Sequence, residues 1–376
     1  MKVLLVPGYY GFGGRRGFGT TGAGSFIREQ GIALVRNDIK VDLAYCHFDG
    51  HRGIQVDVEY DCGIRSVYFH IAPLITPVNL FVKSLVLIWK IPGLLRDEPP
   101  SVVHAQVFTS LPTAYFLSRR MGIPLVYTEH SSAIQAGRLN WYWKAVLRIL
   151  GRRTEAIIAV SEPLRRALEE ATRNQVKIVP NIAANEFFEV ALRPDRKTPH
   201  YRFLSVGRAA RDKGWDVLLA AMRIVANSGH DARLVLAGEG HRQDSVRDLV
   251  AALGLTDVVE VHGRIAREDL PEYMAGFDCH VLPSRQETFG MVSVEALATG
   301  VPVIVTATGG ADAIVHEQNG LIVPVNDPDT LASAMIQMIV RREEFEPSAI
   351  REDCRERFSE LALVTALKTV YSTCDS

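Results

Sequence analysis

Across the second half of the chain, short β-rich runs alternate with segments of helical period, and this restricts the fold more than any other feature. Residues 202–206 (RFLSV), 233–237 (RLVLA), 258–261, 278–282, 302–305 and 321–323 read as strands. Residues 215–225, 243–253, 269–275, 291–299 and 328–340 read as the helices between and after them. Strands separated by helices need crossover connections, so the pattern predicts a parallel sheet with helices on both faces. The first half repeats the theme. Its strands are expected at 2–6, 41–46, 66–70, 102–105, 125–128, 156–160 and 177–179. Its helices are expected at 26–35, 78–95, 112–120, 141–150 and 162–171. The expectation is an α/β protein of two doubly wound, Rossmann-like parallel-sheet domains facing across a cleft.

With 376 residues, each half is long enough to bury its own core. The boundary is expected in the polar, proline-bearing stretch 185–200 (NEFFEVALRPDRKTPH), giving domains 1–184 and 185–359. A terminal helix at about 360–376 is expected to pack back on the first domain. The net charge of −1 conceals an asymmetry. Through Pro180, Lys and Arg outnumber Asp and Glu by 22 to 14; beyond it the balance is 20 to 29. A basic first half suits an anionic surface or substrate; no nucleic-acid partner is expected. The five cysteines show no metal-type pairing and read as reduced thiols of a cytosolic protein. The opening MKVLLVPGYYGFGG is too short in apolar length for a signal peptide.

The most apolar stretch, 78–95, is broken by Lys83 and Lys90 and is expected to end at Pro92, so it is too interrupted to span a membrane. Two readings stay open for it: a helix packed on the first sheet, or an interfacial helix whose lysines meet anionic lipid.

Near the amino terminus, RGFGTTG (16–22) spells a dinucleotide fingerprint, with Asp42 about twenty residues on. Its context is wrong. Gly17 comes about ten residues after the first strand instead of at its end, and Asp42 sits early in its own strand. The expectation is a long loop containing Arg15 and Arg16, ending in Gly22-Ala23-Gly24 at a helix entry. It is not expected to order around NAD.

The richest segment is PSRQETFGMVSVEALATGVPVIVTATGG (283–310). Glu287 and Glu295 stand eight apart, which on one helix would separate them by about 80°. The loop-like Thr288-Phe289-Gly290 places Glu287 before a helix and Glu295 about one turn inside it, with Gly300 just past its end. Free amides of Gly290, Met291 and Val292 at such a helix start suit phosphate, and the flanking carboxylates suit sugar hydroxyls. Upstream, Arg208 and Lys213 follow the strand 202–206, where α/β sheets bind ligands. Two cations there could neutralise a diphosphate leaving group, a task otherwise given to Mg²⁺.

Glu287-x7-Glu295 with ALATGVPVI…GG and an upstream G-R-x4-K-G resembles the retaining, GT-B-fold glycosyltransferases of family 4. The likeness extends to VVHAQ (102–106), YTEHS (127–131), IAVSE (158–162 region) and IVPNI (178–182). It implies that Arg208 and Lys213 hold the diphosphate. Glu287 would bind donor-sugar hydroxyls and Glu295 the ribose. Phe289, Gly290 and Met291 would offer amides to sugar and phosphate, and His130 would reach the sugar from the first domain. Gly207, Arg264 and Ile265 would lie near phosphate and base, and Gly24 would close over the phosphates. No divalent metal or other cofactor is expected. His104 and Gln106 are expected to shape the cleft wall, and His262 to be a strand-end residue.

Two departures stand out. Asp312-Ala313 replace a frequent Pro-Glu pair after Gly309-Gly310, and the amino-terminal glycine loop is longer than usual. The D-x-D at Asp327-Pro328-Asp329 reads as a helix start, not a metal site. The resemblance therefore implies transfer of a sugar, with retention, from a UDP- or GDP-sugar to a hydroxyl acceptor that is a sugar, a lipid-linked or a small molecule. Cell-surface polysaccharide or glycolipid synthesis is the expected setting, in the cytoplasm or peripherally on the membrane. A nucleotide-sugar 2-epimerase and a non-catalytic sugar-nucleotide-binding subunit of a polysaccharide assembly complex are the alternatives.

Overall fold

The computed structural model describes residues 1–9, 25–48, 53–72, 76–192, 199–240 and 243–374. The glycine loop, with Arg15, Arg16, Ala23 and Gly24, lies outside the described residues. The chain divides into two compact units, Met1–Ile182 with Glu360–Ser376, and Ala183–Ser359.

The first unit holds an eight-stranded sheet. Its strands are β1 (Lys2–Pro7), β2 (Lys40–Phe48), β3 (Ile54–Asp61), β4 (Ile64–Ile71), β5 (Val102–Gln106), β6 (Leu125–Glu129), β7 (Ala156–Ala159) and β8 (Val176–Ile178). They run in the order β3-β4-β2-β1-β5-β6-β7-β8, all parallel except the β3–β4 pair. All six residues of β1 and all five of β5 are buried. This is the continuous apolar run expected of strands covered on both faces. The helices Ser25–Arg36 and Glu360–Ser372 cover one face, where Val3, Leu5, Leu34, Leu43, Leu363 and Leu367 share a core.

Strand β3 is absent from the sequence-based expectation. It is an edge strand whose apolar alternation, Ile54, Val56, Val58 and Tyr60, faces outward. It joins β4 through Cys62 and Gly63, both at positive φ (48° and 84°), the two-residue geometry that matches the twist of a hairpin.

The helix expected to end at Pro92 runs from Thr76 to Leu94. Pro92 lies in its last turn and does not end it. Of the two readings left open, the one in which its lysines meet lipid does not hold for Lys83. That side chain is 6% exposed; its Nζ donates to the carbonyls of Pro7 and Gly8, each at 3.3 Å, and sits 4.1 Å from the Tyr45 ring centre. It caps the carboxyl end of β1, and burial lowers its pKa to about 8.

The second unit holds β9 (Tyr201–Val206), β10 (Ala232–Ala237), β11 (Val259–His262), β12 (Cys279–Leu282), β13 (Val303–Thr306) and β14 (Gly320–Val323). The order β11-β10-β9-β12-β13-β14 is wholly parallel and reverses direction between β9 and β12, the switch point at which such sheets bind ligands. The stretch read as a linker contains a short helix, Asn185–Glu189, because Phe187 and Phe188 are buried in this unit (1% and 4% exposed). A helix Pro347–Phe358, also absent from the expectation, places Phe358 against Phe289 at 5.9 Å.

Candidate functional site

In the second unit, two loops meet at the carboxyl ends of β9 and β12. After β9 the chain passes Gly207 and Arg208 into a single 3-10 turn, Arg211–Lys213, and then Gly214. After β12 it passes Pro283 and Ser284 to Glu287. Gly214 is what brings the loops together. Its φ is +67°, and a Cβ there would lie 2.0 Å from the carbonyl oxygen of Pro283. With no side chain between them, the Arg285 amide reaches the Asp212 carbonyl at 2.8 Å. The Arg285 guanidinium bonds Asp216 through two nitrogens, both at 2.8 Å, and donates to the Arg211 carbonyl at 2.6 Å. Lys213 Nζ then stands 2.8 Å from Glu287 Oε2, each side chain about one-fifth exposed (20% and 19%). Ser284 Oγ donates to the same oxygen at 3.3 Å.

Arg208 remains outward, 71% exposed and 3.6 Å from Asp212. Gly207 lies against the Lys213 stem, 3.7 Å from where its Cβ would be. The sequence-predicted Arg208, Lys213, Gly207 and Glu287 are thus neighbours in space.

The helix Met291–Ala298 begins at Gly290, whose φ of +91° suits glycine, and no side chain caps it. The first hydrogen bonds to its N-cap carbonyl come from Ser293 and Val294, so the amides of Met291 and Val292 have no protein partner among the described residues. Ser293 Oγ, in the same first turn, is buried without one. Phe289 is buried (5% exposed) with its ring on Phe358, so its backbone alone can serve a ligand. Gly310 holds this loop from behind: a Cβ there would lie 2.3 Å from the Thr288 carbonyl oxygen. Glu295 is buried in the helix and pairs with Arg267 at 2.6 Å. Arg267 also lies 4.8 Å from the Phe187 ring centre.

Sequence reasoning missed Arg267, although it is three residues past Arg264 in the same basic turn; it missed Ser284 and Ser293 as well. Arg264 is exposed and makes no ion pair or hydrogen bond among the described residues, while Ile265 is half-buried. His262 ends β11, held by Glu260 at 3.0 Å and the Tyr273 hydroxyl at 2.9 Å. Asp327 caps the helix Pro328–Val340, its carboxylate accepting from the Thr330 amide at 3.0 Å and hydroxyl at 2.6 Å.

In the first unit, a polar network is buried at the carboxyl ends of β5 and β6. His130 Nε2 is 2.9 Å from Gln106 Oε1. Gln106 Nε2 donates to Gln30 Oε1 at 3.2 Å, and Gln30 Nε2 faces His104 Nδ1 at 3.3 Å. His104 Nδ1 also meets the Tyr371 hydroxyl at 2.8 Å, and its Nε2 meets Thr128 Oγ1 at 2.7 Å. The amide orientations make His130 Nε2 the donor to Gln106 and leave Nδ1 an acceptor, with Asn181 as a further, weaker partner of the ring. That Nδ1 is buried without a partner of good geometry, at the wall of a pocket shared with Phe26, Thr128 and Asn181. The ring stacks on Phe26 at 3.9 Å. Burial, with His104 nearby, lowers the His130 pKa to about 3, so the imidazole is neutral.

Glu129 sets the backbone of this turn. It accepts the amides of Phe108, His130 and Ser131 at 2.8, 2.8 and 2.7 Å, and the Tyr127 hydroxyl. Burial pushes its pKa up to about 7 against those donors. Gln106 therefore orients the His130 side chain and Glu129 fixes its main chain, neither of which a sequence motif discloses.

Two doubly wound units, one presenting two cations, two glutamates and an open helix start at its switch point, define a protein of GT-B type. Comparison with known proteins agrees. Residues 191–357 match the family "Glycosyl transferases group 1" and residues 20–183 match "Glycosyltransferase Family 4". Mannosylfructose-phosphate synthase of Agrobacterium fabrum is 30% identical over 258 residues, covering 59% of this chain and 57% of that one. The chain spans between 57% and 66% of the length of three curated relatives that it matches. Sucrose-phosphate synthase from Thermosynechococcus elongatus superposes with a TM-score of 0.77 at 22% identity, over 99% of this chain and 98% of that one. Anabaena Alr3699/HepE, solved with UDP and glucose, gives 0.74 at 20% identity, over 98% and 99%. The chain belongs to the group 1, family 4 glycosyltransferases, and its fold is GT-B.

Proposed function

We propose that this protein is a glycosyltransferase that moves a sugar from a nucleoside diphosphate donor to an acceptor hydroxyl with retention of anomeric configuration. The observation that carries the reading is the pairing of Lys213 with Glu287 beside exposed Arg208, at the switch point of the second sheet. A diphosphate there meets two cations and the open amides of Met291 and Val292. Glu287, held by Lys213 and Ser284, accepts from sugar hydroxyls, and Glu295, held by Arg267, from the ribose. Gly207, Arg264 and Ile265 would serve phosphate and base, as would Gly24, which lies outside the described residues.

As the bond from anomeric carbon to phosphate oxygen breaks, Arg208 and Lys213 stabilise the departing charge. The acceptor oxygen bonds the same face of the carbon and passes its proton to the leaving phosphate. On this reading the two cations supply the charge neutralisation that a divalent metal supplies elsewhere. The first unit serves the acceptor, and His130 offers Nδ1 as an acceptor to a sugar hydroxyl. UDP is the favoured nucleotide because neighbours of the same fold are described in complex with UDP, UDP-glucose or UDP-2-fluoro glucose. A lipid-linked acceptor fits the basic first unit.

A thermal-shift panel of UDP- and GDP-sugars tests the donor, since a ligand of the native state stabilises by RT ln(1 + [L]/Kd). The reading predicts one donor that raises Tm and is turned over by the purified chain. No shift from any donor in the panel would sink it, and epimerised donor without acceptor would replace it with an epimerase.

A further inference from the structure

The helix Thr76–Leu94 is apolar on two faces. Val86, Leu87 and Ile91 are buried inward, while Val78, Phe81, Leu85 and Trp89 are exposed outward. The outward four follow steps of three, four and four residues, which keeps them within one stripe of a helix. Phe81 and Trp89 are each 64% exposed, a large apolar surface to leave in water. The stripe continues onto the neighbouring helices. Helix Leu111–Met121 packs against it and adds exposed Phe116, with Arg120 stacked 4.3 Å from the Trp89 ring centre. Helix Trp141–Leu150 packs against Leu111–Met121 in turn and adds exposed Trp141 and Ile149.

The charges on these three helices have one sign. They carry Lys90, Arg119, Arg120, Lys144 and Arg148 besides buried Lys83, and not one Asp or Glu. Glu155, at the edge, is paired to Arg119 at 3.4 Å. Much of the positive excess of the first half of the chain is gathered here.

We infer that this face docks on an anionic lipid surface, with the aromatic and aliphatic stripe in the acyl–headgroup boundary and the cations among lipid phosphates. The combination of bulky apolar side chains, long cationic stems beside them and no acids is what such a boundary selects. A second copy of the chain does not fit, because a self-complementary contact would set the same cations against each other. No helix among the described residues is long and apolar enough to cross a membrane, so the contact is with one surface. The inference deepens the proposed activity by stating where an acceptor would be met, but its test needs no turnover. Failure here leaves the transferase standing, and an inactive protein that still binds lipid leaves this standing.

The test is co-sedimentation of the full chain with vesicles of phosphatidylcholine, with and without about one-third phosphatidylglycerol. Binding is expected with phosphatidylglycerol alone and is expected to weaken as salt rises. Arg119→Glu with Arg120→Glu should reduce binding about several hundredfold, at roughly fivefold for each of the four units of charge changed. Phe81→Ser with Trp89→Ser should reduce it about tenfold or more. These side chains are exposed, so the unfolding temperature should stay near that of the parent, and the parent's own comparison of anionic with neutral vesicles needs no variant. Equal sedimentation with neutral vesicles, indifference to charge reversal, or a reversible dimer abolished by Trp89→Ser would each overturn the inference.

Discussion

Replacing Gly214 by alanine isolates the contact that assembles the proposed donor site. At this position a Cβ meets two separate penalties. The left-handed backbone, φ +67°, costs a non-glycine residue about 1 kcal/mol. The methyl would also stand 2.0 Å from the Pro283 carbonyl oxygen, against the 3.0 Å below which real Cβ contacts essentially never fall. The two loops must therefore part by about 1 Å, adding roughly 2 kcal/mol of overpacking.

Gly254 provides the control. It has nearly the same φ, +66°, and nothing within 4 Å of its Cβ, so Gly254→Ala should pay the backbone cost alone. At about 2–4 °C per kcal/mol for a unit of this size, the control should lose a few degrees and Gly214→Ala roughly three times as many. The functional outcomes should diverge further. Parting the loops draws Lys213 from Glu287, and a displacement of about 1 Å in a positioning group can cost about a hundredfold in turnover. The assay is release of nucleoside diphosphate from the donor found in the thermal-shift panel, with the donor's dissociation constant measured calorimetrically. If both variants lose equal stability and both keep full turnover, the close approach of Gly214 to Pro283 is not what builds the site.

Arg208→Ala should lower turnover by about 10²–10³, with stability within about 0.5 kcal/mol of the parent because the side chain is exposed; near-normal transfer by both this variant and Lys213→Ala would refute the assigned roles. Gln106→Glu should place a carboxylate 2.9 Å from His130 Nε2 and lift that imidazole's pKa from about 3 toward the usual histidine range. An NMR titration should then show a histidine moving upward that is silent above pH 5 in the parent, and an unmoved titration would remove Gln106 as the positioning residue. Lys83, whose pKa is lowered to about 8, binds its proton more weakly folded than unfolded. Between pH 8 and 10.5 the unfolded chain holds the extra proton, so stability relative to Lys83→Met should rise with pH across that window, by roughly 3 kcal/mol in urea melts. A flat difference would mean that the ammonium is not buried.

The second sheet was legible because its strands are short apolar runs set between amphipathic helices, and each of its six strands falls where the alternation put it. Strand β3 escaped although Ile54, Val56, Val58 and Tyr60 alternate plainly. It pairs through an antiparallel edge hairpin, outside the strand–helix rhythm of the rest, and its apolar side faces outward. The helix Asn185–Glu189 escaped because polar Asn185, Glu186 and Glu189 mask two buried phenylalanines. The direction of Lys83 stayed open because side-chain direction depends on where a helix face lands, and a lysine within an apolar run carries no mark of facing inward.

The residue types of the donor site belong to the sequence: two cations after one strand, and two glutamates on either side of a helix start after another. Their spacing along the chain could place each at a carboxyl end of a parallel strand, since backbone periodicity and helix-terminus chemistry are local. Which groups pair could not be read that way. Lys213 with Glu287, and Arg267 with Glu295, are separated by 74 and 28 residues. Only the strand order, which sets β9 beside β12, and the missing side chain of Gly214 bring the first pair within a hydrogen bond. The donor tautomer of His130 was likewise fixed by Gln106, Gln30 and His104, which two different elements, β5 and the helix Ser25–Arg36, deliver to one buried place. Local chemistry follows from local sequence, whereas a contact between distant residues follows from topology and from the space left between backbones.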